Sequence, residues 1–380
     1  MNLKRINIKD MTYFSVTKQE LVKAMTIGGQ FAGKNRALPI GDCIKIESLG
    51  DKVRIYSTDG DNWIGKRCMV AEKSEDDYSV CVSLKNIMPY IKTCSNTITF
   101  RMDIEKGILY VEHENSKASF PLLVSDTFPS TPKINEENNT ISIKSSLLHD
   151  WIGNCTDFAA HDELRPIMNG MFLTLHDNKI EYCATDGHAM ITECLDFDYD
   201  NKSANVIIRN NIFKAVSDMT IGTENTKIVF DNSMIMIQSG NAVLFTKQIE
   251  GNYPNFSAVI PTTHNFKETV NKKELIGAIN RLNTISSSNN GLLKFDFKSD
   301  SLHINCVDLD FEISGDENIS CNGDGECIIG FKGEKISNAM ASINTDEAIF
   351  YLLDETRAAI IRNNDINSTL NILVMPMLIN

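Results

Sequence analysis

Short alternations of apolar and polar residues recur along most of this chain. Two of the clearest are ITFRMDIEKGILYVEHE, at residues 98–114, and KIVFDNSMIMIQSG, at residues 227–240. A period of two is typical of antiparallel strands that bury one face, and Asp, Asn and Gly favour the turns that join such strands. The pattern therefore predicts that β-hairpins are the main structural element.

Two kinds of helix-like segment interrupt the alternation, and each kind occurs three times. The segments VTKQELVKAM, IKSSLLHDWI and VNKKELIGAI begin at Val16, Ile143 and Val270, each 127 residues after the one before. The second kind recurs at spacings of 125 and 124 residues, around Ile87, Ile212 and Ile336. The first two repeats also match at residues 58–60 and 185–187, which both read Thr-Asp-Gly. A fixed period of this length indicates a repeated structural unit.

The apolar patterning lapses at two polar, proline-bearing joins, residues 126–139 and 261–269. Such stretches favour loops between domains. We therefore predict three α+β domains, 1–135 (N-terminal), 136–262 (central) and 263–380 (C-terminal), each with two helices and antiparallel sheets. Each is of a size that supports its own core.

Composition places the chain among soluble globular proteins, with 42% hydrophobic and 23% charged residues in 380. The N-terminus has no apolar stretch suited to a signal peptide, and the longest apolar run, residues 372–379, is far shorter than the roughly 20 residues that cross a bilayer. Ten cysteines without a CxxC pair favour reduced thiols over disulfides or zinc, Cys321 and Cys327 being the nearest to a pair. We expect a cytoplasmic protein without a membrane segment, metal or other cofactor.

Candidate catalytic groups are few. Cys183, Asp186 and His188 are close in sequence, but on an extended strand Cys183 would face away from the other two. Asp308 and Asp310 would share a strand face without a third metal ligand. An enzyme acting on DNA would need a phosphate-binding glycine loop or a clustered acidic set, and neither is present. We therefore expect no catalytic residues.

The net charge of −13 argues against tight nucleic-acid binding, which draws on Lys and Arg, but it does not exclude a protein that encloses DNA loosely. A protein-binding scaffold without a DNA partner is a second possibility that composition leaves open. The position of the basic residues distinguishes the two.

Three ordered motifs resemble one known family. They are RPIMNGMFLTLHDNKIEYCATDGHAM at residues 165–190, NYPNFSAVIP at residues 252–261 and LVMPM at residues 373–377. Together with the threefold repeat they are similar to the bacterial β sliding clamps, the β subunits of DNA polymerase III. The resemblance covers essentially the whole chain.

The resemblance implies three copies of the DNA clamp fold per chain and a head-to-tail homodimer that closes into a six-domain ring. It implies a non-catalytic processivity factor for DNA replication. Such a ring slides on double-stranded DNA without sequence preference and tethers the replicative polymerase, other replication or repair proteins that carry a clamp-binding motif, and its clamp loader.

The apolar tail of the chain has two interpretations: it completes a core strand, or it lines a groove for a partner. The resemblance favours the groove, a peptide-binding cleft between the second and third domains. Residue by residue, it implies a cleft of Met168, Thr185, Gly187, His188, Met190, Pro254, Val259, Thr356, Ala358, Leu373, Val374, Met375, Pro376 and Met377. The chain departs from the family pattern at Ala189 and Ala258, where many members have arginine, and at the Leu378-Ile379-Asn380 end, where they have arginine and leucine; the sequence leaves the preferred peptides open.

Basic residues recur on equivalent helical segments, which is compatible with a weakly positive channel or with ordinary solvated faces. The resemblance implies sequence-independent phosphate contacts there. The residues expected to face DNA are Lys23, Lys34, Arg36, Lys85, Arg165, Arg209, Lys214, Arg281, Lys332 and Lys335. It also places Phe120, Leu122 and Ile285 at the dimer interface, although each could equally be a core residue.

Overall fold

The computed structural model describes residues 11–35, 37–38, 40–135, 139–199, 203–286, 291–308 and 311–379. The described chain is α+β and divides into two compact units. The first comprises Met1–His149 and Lys214–Gln248, and the second comprises Asp150–Phe213 and Ile249–Asn380.

Helices occur where the repeated segments predict them, two in each repeat, and this expectation is confirmed. They are α1 Lys18–Gly28, α2 Leu84–Thr93, α3 Ser145–Thr156, α4 Phe213–Thr220, α5 Lys272–Asn283 and α6 Gly333–Ser342. Equivalent first helices begin with equivalent caps: the Thr17 side chain accepts from the Glu20 amide, and the Asn271 side chain accepts from the Glu274 amide. A side-chain oxygen at this position satisfies an amide that has no partner within the helix.

Apart from short 3-10 turns, strands form the rest of the regular structure in the described residues, and every named pairing is antiparallel. The first thirteen are β1 Thr12–Thr17, β2 Cys43–Leu49, β3 Lys52–Thr58, β4 Asn62–Cys68, β5 Glu72–Lys73, β6 Tyr78–Ser83, β7 Thr97–Asp103, β8 Ile108–His113, β9 Ser116–Pro121, β10 Leu123–Val124, β11 Asn139–Lys144, β12 Gly170–His176 and β13 Lys179–Thr185. The others are β14 Ala189–Asp196, β15 Ala204–Arg209, β16 Asn225–Phe230, β17 Met234–Ser239, β18 Ala242–Lys247, β19 Phe266–Asn271, β20 Leu292–Lys298, β21 Ser301–Asp308, β22 Ile313–Gly323, β23 Cys327–Lys332, β24 Glu347–Leu352, β25 Ala359–Asn363 and β26 Asn371–Val374.

The first unit contains two sheets. One has the order β5-β1-β7-β8-β9, and the other has the order β10-β6-β2-β3-β4-β18-β17-β16-β11. Between them the interior is filled by large apolar residues; Phe14 and Phe100, for example, are fully buried with ring centroids 4.9 Å apart. Strand β9 is an edge strand, because among the described residues it pairs with β8 alone.

The second unit is built on the order β15-β12-β13-β14-β26-β25-β24-β19-β22-β21-β20-β23. Strand β22 changes partner along its length. Cys321 to Gly323 pair with β19, whereas Ile313 to Ser320 pair with β21. The first part of β22 therefore has a partner on one side only within the described chain.

The central predicted domain contributes strands to both units. Strands β11 and β16–β18 join the nine-stranded sheet of the first unit, while β12–β15 join the long sheet of the second. Sheet hydrogen bonding thus continues across both predicted joins in sequence. The domain boundaries at 135 and 262 remain a prediction.

Candidate functional site

An apolar groove of about 310 Å³ opens on the second unit. Its lining comes from segments that are far apart in sequence: the turn before β12, the turn between β13 and β14, the loop after β18, the residue before β25, and the final strand with the residue that follows it. The lining residues are Met168, Thr185, Gly187, His188, Ala189, Met190, Pro254, Asn255, Phe256, Val259, Ala358, Leu373 and Met375. A concave apolar surface with a few polar groups at its rim is the usual form of a ligand site.

One side of the groove is a tight turn that Asp186 closes. The Asp186 Oδ1 atom accepts the backbone N–H groups of His188 and Ala189, both at 2.8 Å. The Thr185 hydroxyl donates to the Ala189 carbonyl at 2.8 Å and accepts the Gly187 N–H at 3.0 Å. Gly187 has φ +89, a left-handed conformation that favours glycine. The turn is therefore specified by the Thr-Asp-Gly sequence itself.

The tail both completes a core strand and lines the groove. Strand β26 lies between β14 and β25, and Ile372, Leu373 and Val374 are buried. Side chains alternate along a strand, which puts Leu373 and Met375 on the groove side. The Met375 N–H donates to the His188 carbonyl at 2.8 Å and joins the tail to the turn.

The loop after β18 supplies an aromatic wall. Tyr253 stacks on Phe172 with ring centroids 4.6 Å apart, and Phe256 meets Phe172 edge-on at 6.1 Å. Offset stacking and edge-to-face contacts are the favoured arrangements of aromatic pairs. Val259, beyond this cluster, is 61% exposed and presents apolar surface to solvent.

Charge near the groove is neutralised by a local ion pair. Lys335 Nζ lies 2.7 Å from Asp186 Oδ2. Burial by itself raises the pKa of Asp186, but hydrogen bonds from Lys335 and from the Ala189 and His188 amides outweigh it and leave the pKa below its ordinary value. The stabilisation from this carboxylate is fully present above the ordinary carboxyl pKa and is lost as the pH falls through the lowered one.

Most residues expected in the cleft meet in this groove, but Thr356, Val374, Pro376 and Met377 do not line it. Val374 faces the other side of the sheet and is 1% exposed. Thr356 closes a turn of its own, with its N–H and hydroxyl both donating to Asp354 Oδ1. Met377 passes beyond the groove and donates its N–H to the Gly330 carbonyl at 2.8 Å. Whether any of the expected residues binds a peptide stays a prediction.

Three lining residues were not predicted from the sequence: Ala189, Asn255 and Phe256. Phe256 lies within the NYPNF motif. Its apolar side chain, two residues after Pro254, could have indicated that it lines the groove. Ala189 was noted only for its departure from the family pattern.

Cys183 lies in a buried apolar cluster, apart from the turn that contains Asp186 and His188. The Cys183 side chain is fully buried with Met190 and Leu373 beneath the groove, and burial raises the pKa of its thiol. Asp186 and His188 lie in the turn after β13 and not on an extended strand as expected, because β13 ends at Thr185.

Metal ligands do not gather in the described part of the chain, where no group of three or more His, Cys, Asp or Glu side chains is placed to hold an ion. Asp310 lies outside the described residues. Cys321 donates its thiol hydrogen to the Glu268 carboxylate, with 3.3 Å between sulfur and oxygen, and Cys327 is a buried free cysteine.

The basic residues expected to face DNA fall into two groups. Lys23, Lys34 and Lys85 are exposed, and Arg209 is half-buried at the end of β15. The others form ion pairs: Arg165 with Asp162, Lys214 with Asp218, Arg281 with Glu317, Lys332 with Glu334 and Lys335 with Asp186. Arg36 lies outside the described residues. Their contact with DNA stays a prediction.

The residues expected at the dimer interface lie beside the two edge strands. Phe120, on β9, is half-buried with its ring centroid 5.8 Å from that of Tyr90, and Leu122 follows directly after β9. Ile285 follows α5, and a Cβ atom on Gly315 of β22 would lie 2.1 Å from its Cδ1. Their interface role stays a prediction.

Exposed apolar side chains are present at the same two edges. Near β9 they are Ile104 and Leu123, and near β22 they are Val307, Phe311 and Ile313. Phe311 is 75% exposed, although Phe is usually an interior residue. No helix in the described chain is both long and apolar enough to cross a membrane.

Comparisons with known proteins agree on one family. Two family models match, the central domain of the DNA polymerase III beta subunit over residues 142–255 and its C-terminal domain over residues 257–378. Together they span more than half of the chain.

Similar proteins extend the match to nearly the full length. The chain is 24% identical to the beta sliding clamp of Streptococcus pneumoniae over 363 residues, covering 91% of this chain and 94% of that protein. It is 22% identical to the beta sliding clamp of Pseudomonas aeruginosa, covering 96% and 99%. The crystal structure of a Pseudomonas aeruginosa sliding clamp bound to griselimycin superposes with a TM-score of 0.90 at 19% identity, covering 97% of this chain and 100% of that one. The expected clamp fold is confirmed.

Proposed function

Because this chain belongs to the family of bacterial β sliding clamps, the β subunits of DNA polymerase III, we propose that it is the processivity factor of a DNA polymerase. In this role it is a non-catalytic subunit that encircles duplex DNA and tethers other proteins to it. Cytoplasmic localisation follows from that role, since the DNA and the replication machinery are there. The three domains of this function are 1–135, 136–262 and 263–380.

Tethering is the part of the function that the apolar groove supports. The groove combines a rigid turn, an aromatic wall and three methionines, Met168, Met190 and Met375, that can repack around different apolar anchors. Short peptides carrying leucine and phenylalanine anchors fit a surface of this chemistry. The proposed partners are the replicative polymerase, the clamp loader and other proteins with a clamp-binding motif.

Ring closure is supported by the two edge strands. An edge strand presents unpaired backbone groups that favour pairing with another strand. In the proposed homodimer, β9 of one protomer pairs with the first part of β22 of its partner, and the exposed apolar residues of both edges become buried. Each protomer carries one edge of each kind, so two such contacts close a cyclic dimer.

DNA binding in this proposal is weak and independent of sequence. Exposed Lys23, Lys34 and Lys85 are available for phosphate contacts, whereas the ion-paired cations are already partly neutralised. The net charge of −13 then disfavours static adsorption to DNA. A ring holds DNA by enclosing it, so loose contacts are compatible with sliding.

A charge placed in the groove tests the tethering role. We expect Met375→Glu to weaken binding of a Gln-Leu-x-Leu-Phe-type peptide, and of griselimycin, by about 10- to 100-fold, because a carboxylate would be desolvated against apolar ligand atoms. Met375 is 48% exposed, so the fold should tolerate the change. Isothermal titration calorimetry measures the affinity.

The matched control is Met69→Glu, since Met69 is a comparably exposed methionine of the first unit at 63%. It should bind both ligands as the wild type does. Unchanged affinity of Met375→Glu would contradict the assignment of the groove as the peptide site.

A further inference from the structure

The Thr-Asp-Gly turn beside the groove has a close copy in the first unit. There the Thr58 hydroxyl donates to the Asn62 carbonyl at 2.7 Å, and Gly60 donates its N–H to that hydroxyl at 3.0 Å. Asp59 Oδ1 accepts the N–H groups of Asp61 and Asn62 at 3.1 and 2.8 Å. These are the same four hydrogen bonds, at the same positions, as in the turn of Thr185 to Ala189.

The two turns differ in the partner of the second carboxylate oxygen. In the first unit Asn62 Nδ2 donates to Asp59 Oδ2 at 2.9 Å, so that turn satisfies its own aspartate. In the second unit the equivalent residue is Ala189, which has no donor in its side chain. Asp186 Oδ2 instead accepts Lys335 Nζ at 2.7 Å, from a helix 149 residues further along the chain.

The Lys335 contact is unlike an ordinary surface ion pair. The two side chains are only 14% and 20% exposed, whereas Lys332, one turn earlier, is 47% exposed and pairs with Glu334. Removing one member of a largely buried pair leaves an uncompensated charge. The lysine headgroup is also held against the turn and directed away from free solution, which does not suit a phosphate contact.

The turn connects the Lys335–Asp186 ion pair to residues that line the groove. The Asp186 carboxylate that binds Lys335 also binds the amides of His188 and Ala189, and both residues line the groove. The His188 carbonyl in turn accepts the Met375 N–H at 2.8 Å. Helix α6 is thus connected through one carboxylate to the turn and, through the turn, to the tail.

We propose that Lys335 is a positioning residue that ties the groove turn to helix α6 and thereby sets the width of the peptide site. The first unit shows that this kind of turn closes without a lysine, so the ion pair serves placement of the turn and not its formation. The inference rests on the proposed peptide-binding function, and it assigns Lys335 a role other than the DNA contact expected from the sequence.

The principal variant is Lys335→Met, which keeps the length of the side chain and removes its charge. We expect griselimycin affinity to fall about tenfold. Without the ion pair the turn is no longer held in the position that fits the ligand, and a less well-positioned site binds less tightly. Hydrogen exchange of the His188 and Ala189 amides should become faster. Lys335→Arg should keep affinity and protection close to those of the wild type, and Lys332→Met, directly before the same helix, should change neither.

A double variant separates positioning from the effect of an unpaired charge. In Asp186→Asn with Lys335→Met, the asparagine Oδ1 can still accept both turn amides, and no charge is left without a partner. If Lys335 positions the turn, the melting temperature of the double variant should recover while its affinity for griselimycin stays low. Recovery of both, or wild-type affinity in Lys335→Met alone, would overturn the proposal.

Amide exchange is measured without a ligand, so it tests the role of Lys335 independently of the proposed peptide-binding function. If the wild-type protein bound neither griselimycin nor peptide, the proposed groove function would fail. Faster exchange at His188 and Ala189 in Lys335→Met would then still support the tie to α6, and unchanged exchange would refute it.

Discussion

Deletion of residues 371–380, which removes strand β26 and everything after it, is expected to abolish cooperative folding of the second unit. Strand β26 pairs with β14 on one side and with β25 on the other, so its loss exposes two new strand edges in the middle of a sheet. Ile372, Leu373 and Val374 are 0%, 4% and 1% exposed. Burying each such side chain contributes about 1.5–3 kcal/mol. Their sum is comparable with the whole stability of an ordinary domain, about 5–15 kcal/mol.

Thermal unfolding followed by circular dichroism and calorimetry measures this effect. A shorter deletion, of residues 375–380, is the control, because it leaves β26 in place and removes only one lining residue, Met375. The shorter variant should unfold cooperatively but bind groove ligands weakly. Equal melting temperatures for the longer deletion and the wild type would contradict the central position of β26.

Ile313→Asp is expected to convert the proposed dimer into monomers over most accessible concentrations. Ile313 begins β22, is 45% exposed, and lies beside exposed Phe311 at an edge without a partner strand in the described chain. A buried carboxylate at the centre of the contact should cost about 2–3 kcal/mol, roughly 30- to 150-fold in affinity, at each of the two contacts that close the dimer. Because Ile313 is already exposed within one chain, the folded protomer should persist.

Sedimentation across a range of concentrations measures the dissociation constant. The control is Ile366→Asp, the same change at an isoleucine that is 99% exposed on the loop between β25 and β26. It should leave association unchanged. If Ile313→Asp dimerised as tightly as the wild type, the β22 edge would not be the interface, and ring closure would need another surface.

The repeat could be read directly from the sequence because its signals are local. Apolar residues at helical spacing after Val16, Ile143 and Val270 predicted α1, α3 and α5, and period-two alternation predicted hairpins such as β16–β17. The Thr-Asp-Gly match between residues 58–60 and 185–187 corresponds to two turns with the same hydrogen bonds. In each case one segment carries the residues that determine its own conformation.

The groove could be predicted only in part. The family motifs placed Met168, His188 and Leu373 together, but a sequence motif does not specify which face of a strand each residue occupies. Val374 was included for this reason, although alternation turns it away from the groove. Phe256 was not predicted, because its packing on Phe172 brings together residues 84 positions apart in sequence.

By itself, the sequence determined the elements, the threefold repeat and the family of the chain. Only the tertiary structure decided that β26 is inserted between β14 and β25, that the central repeat shares its strands between two sheets, and that Lys335 meets Asp186. The physical reason is that hydrophobic period and turn chemistry act between near neighbours in the chain. The choice of strand partners and buried ion pairs depends on the complementarity of surfaces brought together only by folding.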